Sequence, residues 1–203
     1  MKVLLINGSQ NKEGCTFTAL SEIKNELSKE NVDSEIFWIG NKPVRGCLGC
    51  RKCGHKEGKC VFDDDPANEI IDKIIECDAV IVGSPVYYAG PNGALCALLD
   101  RVFYASGGNF KFKPGASILS CRRGGASASF DRLNKYFTIS SMPVVSSQYW
   151  NMVHGNTPDE VRQDLEGLQV MRTLARNMAW ILKSIENNDL PQHEEKIATN
   201  FIR

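Results

Sequence analysis

The chain has 203 residues, of which 42% are hydrophobic, 24% charged and 8% aromatic. This composition is too apolar for a disordered chain and is typical of a globular protein, and the length predicts one domain. The 24 basic and 24 acidic side chains cancel, which removes the electrostatic case for nucleic acid as a partner. We expect a cytoplasmic protein without membrane contact, because no apolar run approaches the roughly 18 residues of a membrane helix and the N-terminus lacks signal-peptide features.

The predicted elements alternate between strands and helices. Apolar runs and period-two patterns predict five strands, at residues 2–7, 32–38, 79–83 and 116–120 and from 143 onward. Apolar residues at helical spacing predict five helices, at residues 16–27, 66–75, 92–104 and 130–137 and as one segment from 158 to 182 in which Leu165 faces inward. This alternation indicates an α/β fold with a doubly wound parallel sheet and helices on both faces. We predict a domain over residues 1–186 and a C-terminal tail over residues 187–203.

The loop after the first strand predicts a phosphate site. It lacks the Lys-Ser pair of a Walker A loop and the G-x-G-x-x-G pattern of a dinucleotide site. What remains is a strand, a loop with hydroxyls at Ser9, Thr16 and Thr18, and the N-terminus of a helix, whose free amides and dipole favour a phosphate dianion. The alternative is that Ser9 and Thr16 only cap the helix.

The loop after the third strand, residues 83–93, combines small residues and proline with two tyrosines. Such a loop presents a rigid backbone beside aromatic surface, and its amides can contact the polar edge of a flat ring. The alternative is that one of the two tyrosines packs into the core.

These two loops, with Leu99-Asp100-Arg101 further along, resemble the NAD(P)H-dependent FMN reductase branch of the flavodoxin-like proteins over roughly residues 1–155. The resemblance implies a flavodoxin-like five-stranded sheet of order 2-1-3-4-5 and a bound FMN. It places around the FMN phosphate Ser9, Gln10, Cys15, Thr16, Phe17 and Thr18. It places along the isoalloxazine Pro85, Val86, Tyr87, Tyr88 and Gly90, and at its pyrimidine side Arg122, Arg123 and Gly124. For the two arginines, solvated loop positions are the alternative.

Four of the eight cysteines fall within fourteen residues, in a glycine-rich loop at 46–61: Cys47, Cys50, Cys53 and Cys60. In a chain without a secretion signal, such a cluster indicates metal or redox chemistry before disulfides. Four soft ligands this close together suit a [4Fe-4S] cluster, and the spacing resembles that of the iron–sulfur flavoproteins. Zinc and the absence of any metal are the alternatives. We expect this loop to lie at the same carboxyl edge of the sheet as the flavin.

Together these features predict an FMN-dependent oxidoreductase that accepts hydride from NAD(P)H, or electrons through a [4Fe-4S] cluster. The flavin performs the chemistry, so we expect no catalytic acid, base or nucleophile from the protein. Expected partners are the nicotinamide cofactor and a small-molecule or protein acceptor such as ferredoxin. We also expect a homodimer or homotetramer, with Phe103, Tyr104 and Phe110 exposed for assembly. The alternatives are a non-catalytic flavin electron carrier, a quinone or azo reductase without a cluster, and a zinc-stabilised binding module.

Overall fold

A computed structural model describes residues 1–55, 58–192, 194, 195, 197 and 199. The strands are β1 (Lys2–Asn7), β2 (Asp33–Trp38), β3 (Ala79–Tyr87), β4 (Gly90–Pro91), β5 (Gly115–Cys121) and β6 (Met152–His154). The helices are α1 (Cys15–Lys29), α2 (Ala67–Glu76), α3 (Gly93–Ala105), α4 (Ala126–Ile139), α5 (Pro158–Gln163) and α6 (Leu165–Ile185). In this part of the chain no helix is long and apolar enough to cross a membrane.

Five parallel strands form the sheet in the order β2-β1-β3-β5-β6. Counting only these strands, the order is the predicted 2-1-3-4-5. An additional strand, β4, was not predicted. It is two residues long and pairs antiparallel with the end of β3. The predicted doubly wound sheet is therefore confirmed, with a short hairpin added at one carboxyl end.

Helices cover both faces of the sheet because the central strands are apolar on both sides. In β1, Leu4 and Ile6 pack with α2, α3 and α4, whereas Val3 and Leu5 pack with α1 and α6. All four side chains are fully buried. This two-sided burial is what a near-continuous apolar run predicts for a parallel strand.

Two predicted elements are wrong in their extent. Residues 143–145 contribute only a single bridge between Val144 and Gly115, and the paired strand begins at Met152. The long final helix is broken at Asp164, whose carboxylate accepts a hydrogen bond from the amide of Gly167 at 3.0 Å and so caps α6. The break leaves Leu165 75% exposed instead of inward.

The expected exposure of aromatic residues after α3 is also only partly correct. Phe110 is fully buried and packs edge-on against Phe103, with ring centroids 5.4 Å apart. Tyr104 is exposed. Phe110 therefore belongs to the core and Phe103 is half-buried against it, so Tyr104 is the exposed member of the three aromatic residues predicted for assembly.

Ion pairs connect α1 to α6 on one face of the sheet. Glu26 is almost fully buried, and its carboxylate accepts from Lys29 at 2.7 Å and from Arg176 at 2.6 Å. The hydrogen bond from Lys29 is the largest cause that lowers the pKa of Glu26 below its ordinary value of 4.5; burial opposes it, and Arg176 adds to the lowering.

The lowered pKa of Glu26 predicts a pH-dependent contribution to stability. A depressed folded-state pKa stabilises the protein above the unfolded-state pKa, and this contribution disappears as pH falls through the folded-state value. We expect Glu26→Gln to reduce the free energy of unfolding by about 1–3 kcal/mol near neutral pH, and by less below about pH 4. Urea unfolding at both pH values measures this, with exposed Glu13→Gln as the control. An equal loss at both pH values would contradict the assignment.

Candidate functional site

Three loops meet at the carboxyl edge of the central strands: residues 8–14 after β1, the hairpin 85–91 at the end of β3, and residues 122–125 after β5. The amide of Gly8 donates to the carbonyl of Gly83 at 2.8 Å, which joins the first two loops directly. Parallel strands bring their carboxyl ends to one edge, and ligands of open α/β sheets bind there. This convergence defines the candidate site.

The Asn7 side chain holds the first loop through hydrogen bonds to the loop backbone. This fully buried side chain donates to the carbonyl of Lys12 at 2.9 Å and accepts from the amide of Ser9 at 3.1 Å. The Ser9 hydroxyl in turn accepts from the amide of Asn11 at 3.1 Å. The side chains of Asn7 and Ser9 therefore satisfy the loop internally and hold its backbone in one conformation.

The first turn of α1 keeps free donors. Its N-cap residue, Gly14, provides no side-chain cap. In the described part of the chain, the amides of Cys15, Thr16 and Phe17 have no protein acceptor. Unpaired amides at a helix N-terminus, together with the helix dipole, form an anion-binding site.

The predicted hydroxyl donors of this loop are occupied by protein groups. Thr16 is buried, and its hydroxyl and that of Ser120 on β5 hydrogen-bond to each other at 2.8 Å. The Thr18 hydroxyl donates to the carbonyl of Gly14 at 3.2 Å. Of the two kinds of donor predicted for this loop, the main-chain amides are thus the free ones, whereas the hydroxyls of Thr16 and Thr18 already have protein partners.

The remaining predicted residues of the first loop lie around the same turn. Gln10 and Phe17 are half-buried. Cys15 is also half-buried; its thiol donates to the carbonyl of Gly155 at 3.8 Å, and burial raises the pKa of that thiol. Cys15 is therefore a neutral thiol that connects α1 to the segment after β6.

The hairpin at the end of β3 presents the two tyrosines outward. Tyr87 is 46% exposed and Tyr88 completely so, which excludes the alternative that one of them packs into the core. Tyr88 and Ala89 both have positive φ, 50° and 58°, so the two-residue turn is of the I′ type. Such turns favour Asn and Gly, so this one stores backbone strain at the site edge.

Asn92 joins the hairpin to the first loop and to α3, and sequence reasoning missed this role. Its buried side chain donates to the carbonyl of Gly8 at 2.7 Å and accepts from the amide of Ala94, which caps α3. Its own amide donates to the Ser84 hydroxyl at 2.9 Å. An asparagine just before a predicted helix is an N-cap signal, but only the fold reveals its contact with Gly8.

The third loop closes against the hairpin. Gly125 has a φ of 90°, and a Cβ there would lie 2.7 Å from the Cα of Ala89, so the loop requires glycine. Arg122, Arg123 and Gly124 are exposed, as the solvated-loop alternative also predicts. No protein acceptor for the two arginine side chains occurs among the described residues.

Cys121 lies below this third loop, at the end of β5. Its buried sulfur is 3.5 Å from Nδ1 of His154 at the end of β6. Burial raises the pKa of the Cys121 thiol above its ordinary value. Like Cys15, it is therefore held as a neutral thiol.

All four clustered cysteines line a single pocket together with Arg101 and Tyr104. Cys47 and Cys50 are exposed, Cys53 is half-buried and Cys60 is buried, and none forms a disulfide. Within the described ranges, no three His, Cys, Asp or Glu side chains already stand in a metal-binding arrangement. The chain thus brings the four thiols to one pocket without showing a formed metal site.

Arg101 of α3 ties this pocket to the fold. Its fully buried guanidinium donates to the sulfur of Cys60 at 3.4 Å and forms an ion pair with buried Asp65. Burial by itself lowers the pKa of Arg101, but the hydrogen bonds to Cys60 and Asp65 raise it above its ordinary value. The group is therefore a permanent buried cation.

The cysteine pocket is not at the carboxyl edge, contrary to our expectation. Arg101 and Ala105, which line it, lie about 12–18 Å along α3 from Gly93 at the start of that helix. Gly58 of the cysteine loop packs beyond the end of α3, where a Cβ would lie 2.9 Å from the side-chain nitrogen Nδ2 of Asn109. The loop leaves β2 at the carboxyl edge but then runs along the helical flank, which no spacing rule anticipates.

Comparison with known proteins identifies the relatives of this chain. The family described as NADPH-dependent FMN reductase matches residues 1–157. The chain is 32% identical to an iron–sulfur flavoprotein of Methanocaldococcus jannaschii over 92% of its own length and 100% of the relative. It is similar in fold to a flavodoxin from the domain Archaea (TM-score 0.62, 16% identity, covering 90% of this chain and 99% of that one). The crystal structure of RosB is also similar in fold to this chain, with a TM-score of 0.72 and 13% identity, covering 100% of this chain and 94% of that one.

The strained hairpin turn gives a prediction about stability. Glycine adopts positive φ without steric cost, so Ala89→Gly should raise the free energy of unfolding by about 0.5–1 kcal/mol. As the matched control, Ala128→Gly in α4 should lower it by a similar amount, about 0.5–1 kcal/mol, because glycine is unfavourable in a helix. Urea unfolding of both variants checks the opposite signs, and a destabilised Ala89→Gly variant would contradict the strain.

Proposed function

The chain belongs to the NADPH-dependent FMN reductase family, and from this premise we propose that it binds FMN at the carboxyl edge and reduces it with NAD(P)H. The observation that carries this placement is the uncapped N-terminus of α1 beside the tyrosine hairpin. A phosphate needs donors without competing acceptors, and a flat ring needs an exposed aromatic or backbone surface. Both occur within one group of converging loops.

In this proposal each loop has a separate task. The amides of Cys15, Thr16 and Phe17 hold the phosphate, with Ser9, Gln10 and Thr18 around it. The hairpin residues Pro85, Val86, Tyr87, Tyr88 and Gly90 lie along the isoalloxazine, and Arg122, Arg123 and Gly124 lie at its pyrimidine side. The arginines are free to offset the negative charge that reduction places on the ring.

FMN supplies the redox chemistry when bound: it takes a hydride from a nicotinamide and can pass the electrons on singly. The protein binds and orients it. Thr16 packs over Gly83: a Cβ added to Gly83 would lie 2.9 Å from Cγ2 of Thr16. This close approach holds the start of α1 against β3. The free amides are thereby fixed in place before any ligand arrives, which reduces the entropy lost on binding.

We propose further that the four pocket cysteines hold a [4Fe-4S] cluster. The donor set fits, because four thiolates in a partly buried pocket are what such a cluster requires. The full-length relative in M. jannaschii is itself called an iron–sulfur flavoprotein. Arg51 and Lys52 are exposed beside the pocket, and this positive charge favours an acidic electron-transfer partner such as ferredoxin.

The phosphate placement predicts opposite effects of one substitution. Gly14→Asp should cap α1 and raise the stability of the FMN-free protein by about 0.2–0.5 kcal/mol, since glycine is only slightly worse than aspartate at an N-cap. Its carboxylate would also occupy the free amides and repel the phosphate, so we expect FMN to bind at least about tenfold more weakly. Fluorescence titration with FMN measures the affinity, and urea unfolding measures the stability.

The control for this prediction is Gly14→Ala. It adds the same Cβ, 3.1 Å from that of Asn11, without a charge or a cap. FMN affinity equal to wild type in the aspartate variant would place the phosphate elsewhere. Equal losses in the aspartate and alanine variants would show that the effect is steric.

The cluster proposal predicts a spectroscopic result for Cys50→Ser. We expect this variant, purified anaerobically, to lose the broad cluster absorbance while it keeps the flavin bands and the fold, because Cys50 is exposed and outside the core. Cys77→Ser is the control, since Cys77 is buried away from the pocket and its loss should leave the cluster absorbance unchanged. Iron and sulfide near zero in wild-type protein with full FMN would contradict the cluster.

A further inference from the structure

Cys60 differs from the other three pocket cysteines in how firmly it is held. Its amide donates to Oδ1 of Asn68 at 2.8 Å, and its carbonyl accepts from Nδ2 of the same side chain at 3.0 Å. Asn68 is itself buried at the start of α2. One asparagine therefore fixes the backbone of Cys60 from both sides.

The side chain of Cys60 is held by Arg101. Nε of Arg101 donates to the sulfur at 3.4 Å, while its two terminal nitrogens reach the carbonyl of Arg45 at 3.3 Å and that of Phe62 at 3.0 Å. Arg45 precedes the cysteine cluster and Phe62 follows it. A single guanidinium thus closes the cysteine loop at both ends and contacts one of its sulfurs.

We propose that Arg101 is a positioning residue for the iron–sulfur cluster: it keeps Cys60 in place as the pre-ordered ligand and raises the reduction potential through its N–H···S hydrogen bond. This rests on the proposed cluster. Hydrogen bonds to ligand sulfurs stabilise the extra negative charge of the reduced form, and groups that orient ligands also slow metal loss. The competing explanation is that Arg101 only neutralises Asp65.

Two substitutions separate these explanations by the sign of the potential shift. Arg101→Lys keeps the positive charge beside Asp65 but loses the planar set of donors, so we expect a more negative cluster potential. Asp65→Asn keeps the hydrogen bond to Cys60 but removes a buried negative charge near the cluster, so we expect a more positive potential. Arg172→Lys on α6, which pairs with Glu22 on the other face of the sheet, is the control and should shift nothing.

The experiment is redox titration of anaerobic holoprotein followed by electron paramagnetic resonance, with the rate of iron loss to a chelator measured in parallel. For Arg101→Lys we expect iron loss about tenfold to a hundredfold faster than in wild type. A folded Arg101→Lys protein with the wild-type potential and rate overturns the proposal. Shifts of the same sign in both variants would also overturn it, because they would indicate general loosening of the pocket.

A second measurement uses the wild-type protein and does not depend on the folding of a variant. With ¹⁵N-arginine incorporated, electron–nuclear double resonance on the reduced cluster should detect one coupled arginine nitrogen through the hydrogen bond. Absence of that coupling in cluster-containing protein overturns the proposal while leaving the proposed function intact. Absence of iron and sulfide from wild type overturns both this inference and the proposed cluster, and leaves the proposed FMN site standing.

Discussion

The long loop between β2 and α2 depends on the ion pair and hydrogen bonds of the buried Arg101 guanidinium. A cation with almost no exposure is costly unless each of its nitrogens has an acceptor, and breaking a buried pair usually costs more than the pair contributes. Arg101 satisfies this requirement with Asp65, two carbonyls and the sulfur of Cys60. All of these acceptors belong to one loop segment. The guanidinium therefore gains its hydrogen-bond partners only when that segment folds against α3.

At the N-terminal end of α3 the requirement is different. The loops there must be rigid, yet the amides in the first turn of α1 must stay free to donate. The side chains of Asn7 and Asn92 bond to backbone groups of the loops and make them rigid, while no side chain of the described residues reaches the first amides of α1. Thr16 pairs with Ser120 instead of capping its own helix. In the proposed FMN site, polar side chains thus stiffen the loops and the main-chain amides stay free for the ligand, a role that a glycine at the N-cap permits.

The sequence was sufficient for the sheet because its signals are local and strong. The apolar run of β1 and the helical spacing in α3 report burial directly, and alternation of strands and helices restricts the topology. The sequence was insufficient where a single polar contact decides. The side chain of Asn92 reaches Gly8, 84 residues away, and Asp164 accepts from the amide of His154 on β6 at 2.6 Å as well as capping α6.

The candidate site shows the same division. The loops that carry it were predictable, because parallel strands must end at one edge. The four closely spaced cysteines, predicted to form a metal or redox site, line one pocket. The position of that pocket was not predictable, because a glycine-rich loop has no periodicity to report which surface it covers. The hydrogen bonds that Arg101 donates to the carbonyls of Arg45 and Phe62 help to hold it on the flank of α3.

Helix α3 therefore sets the relation between the two candidate sites. Asn92 at its N-cap holds the loops of the proposed flavin site, and Arg101, eight residues beyond Gly93, holds the cysteine pocket. A helix neither stretches nor twists appreciably, so this separation of about 12 Å along the axis is fixed by residue count. Each inserted residue would advance Arg101 by about 1.5 Å and rotate it by about 100° away from Cys60 and Asp65. The number of residues between the cap and the buried cation is thus itself a structural constraint on the chain.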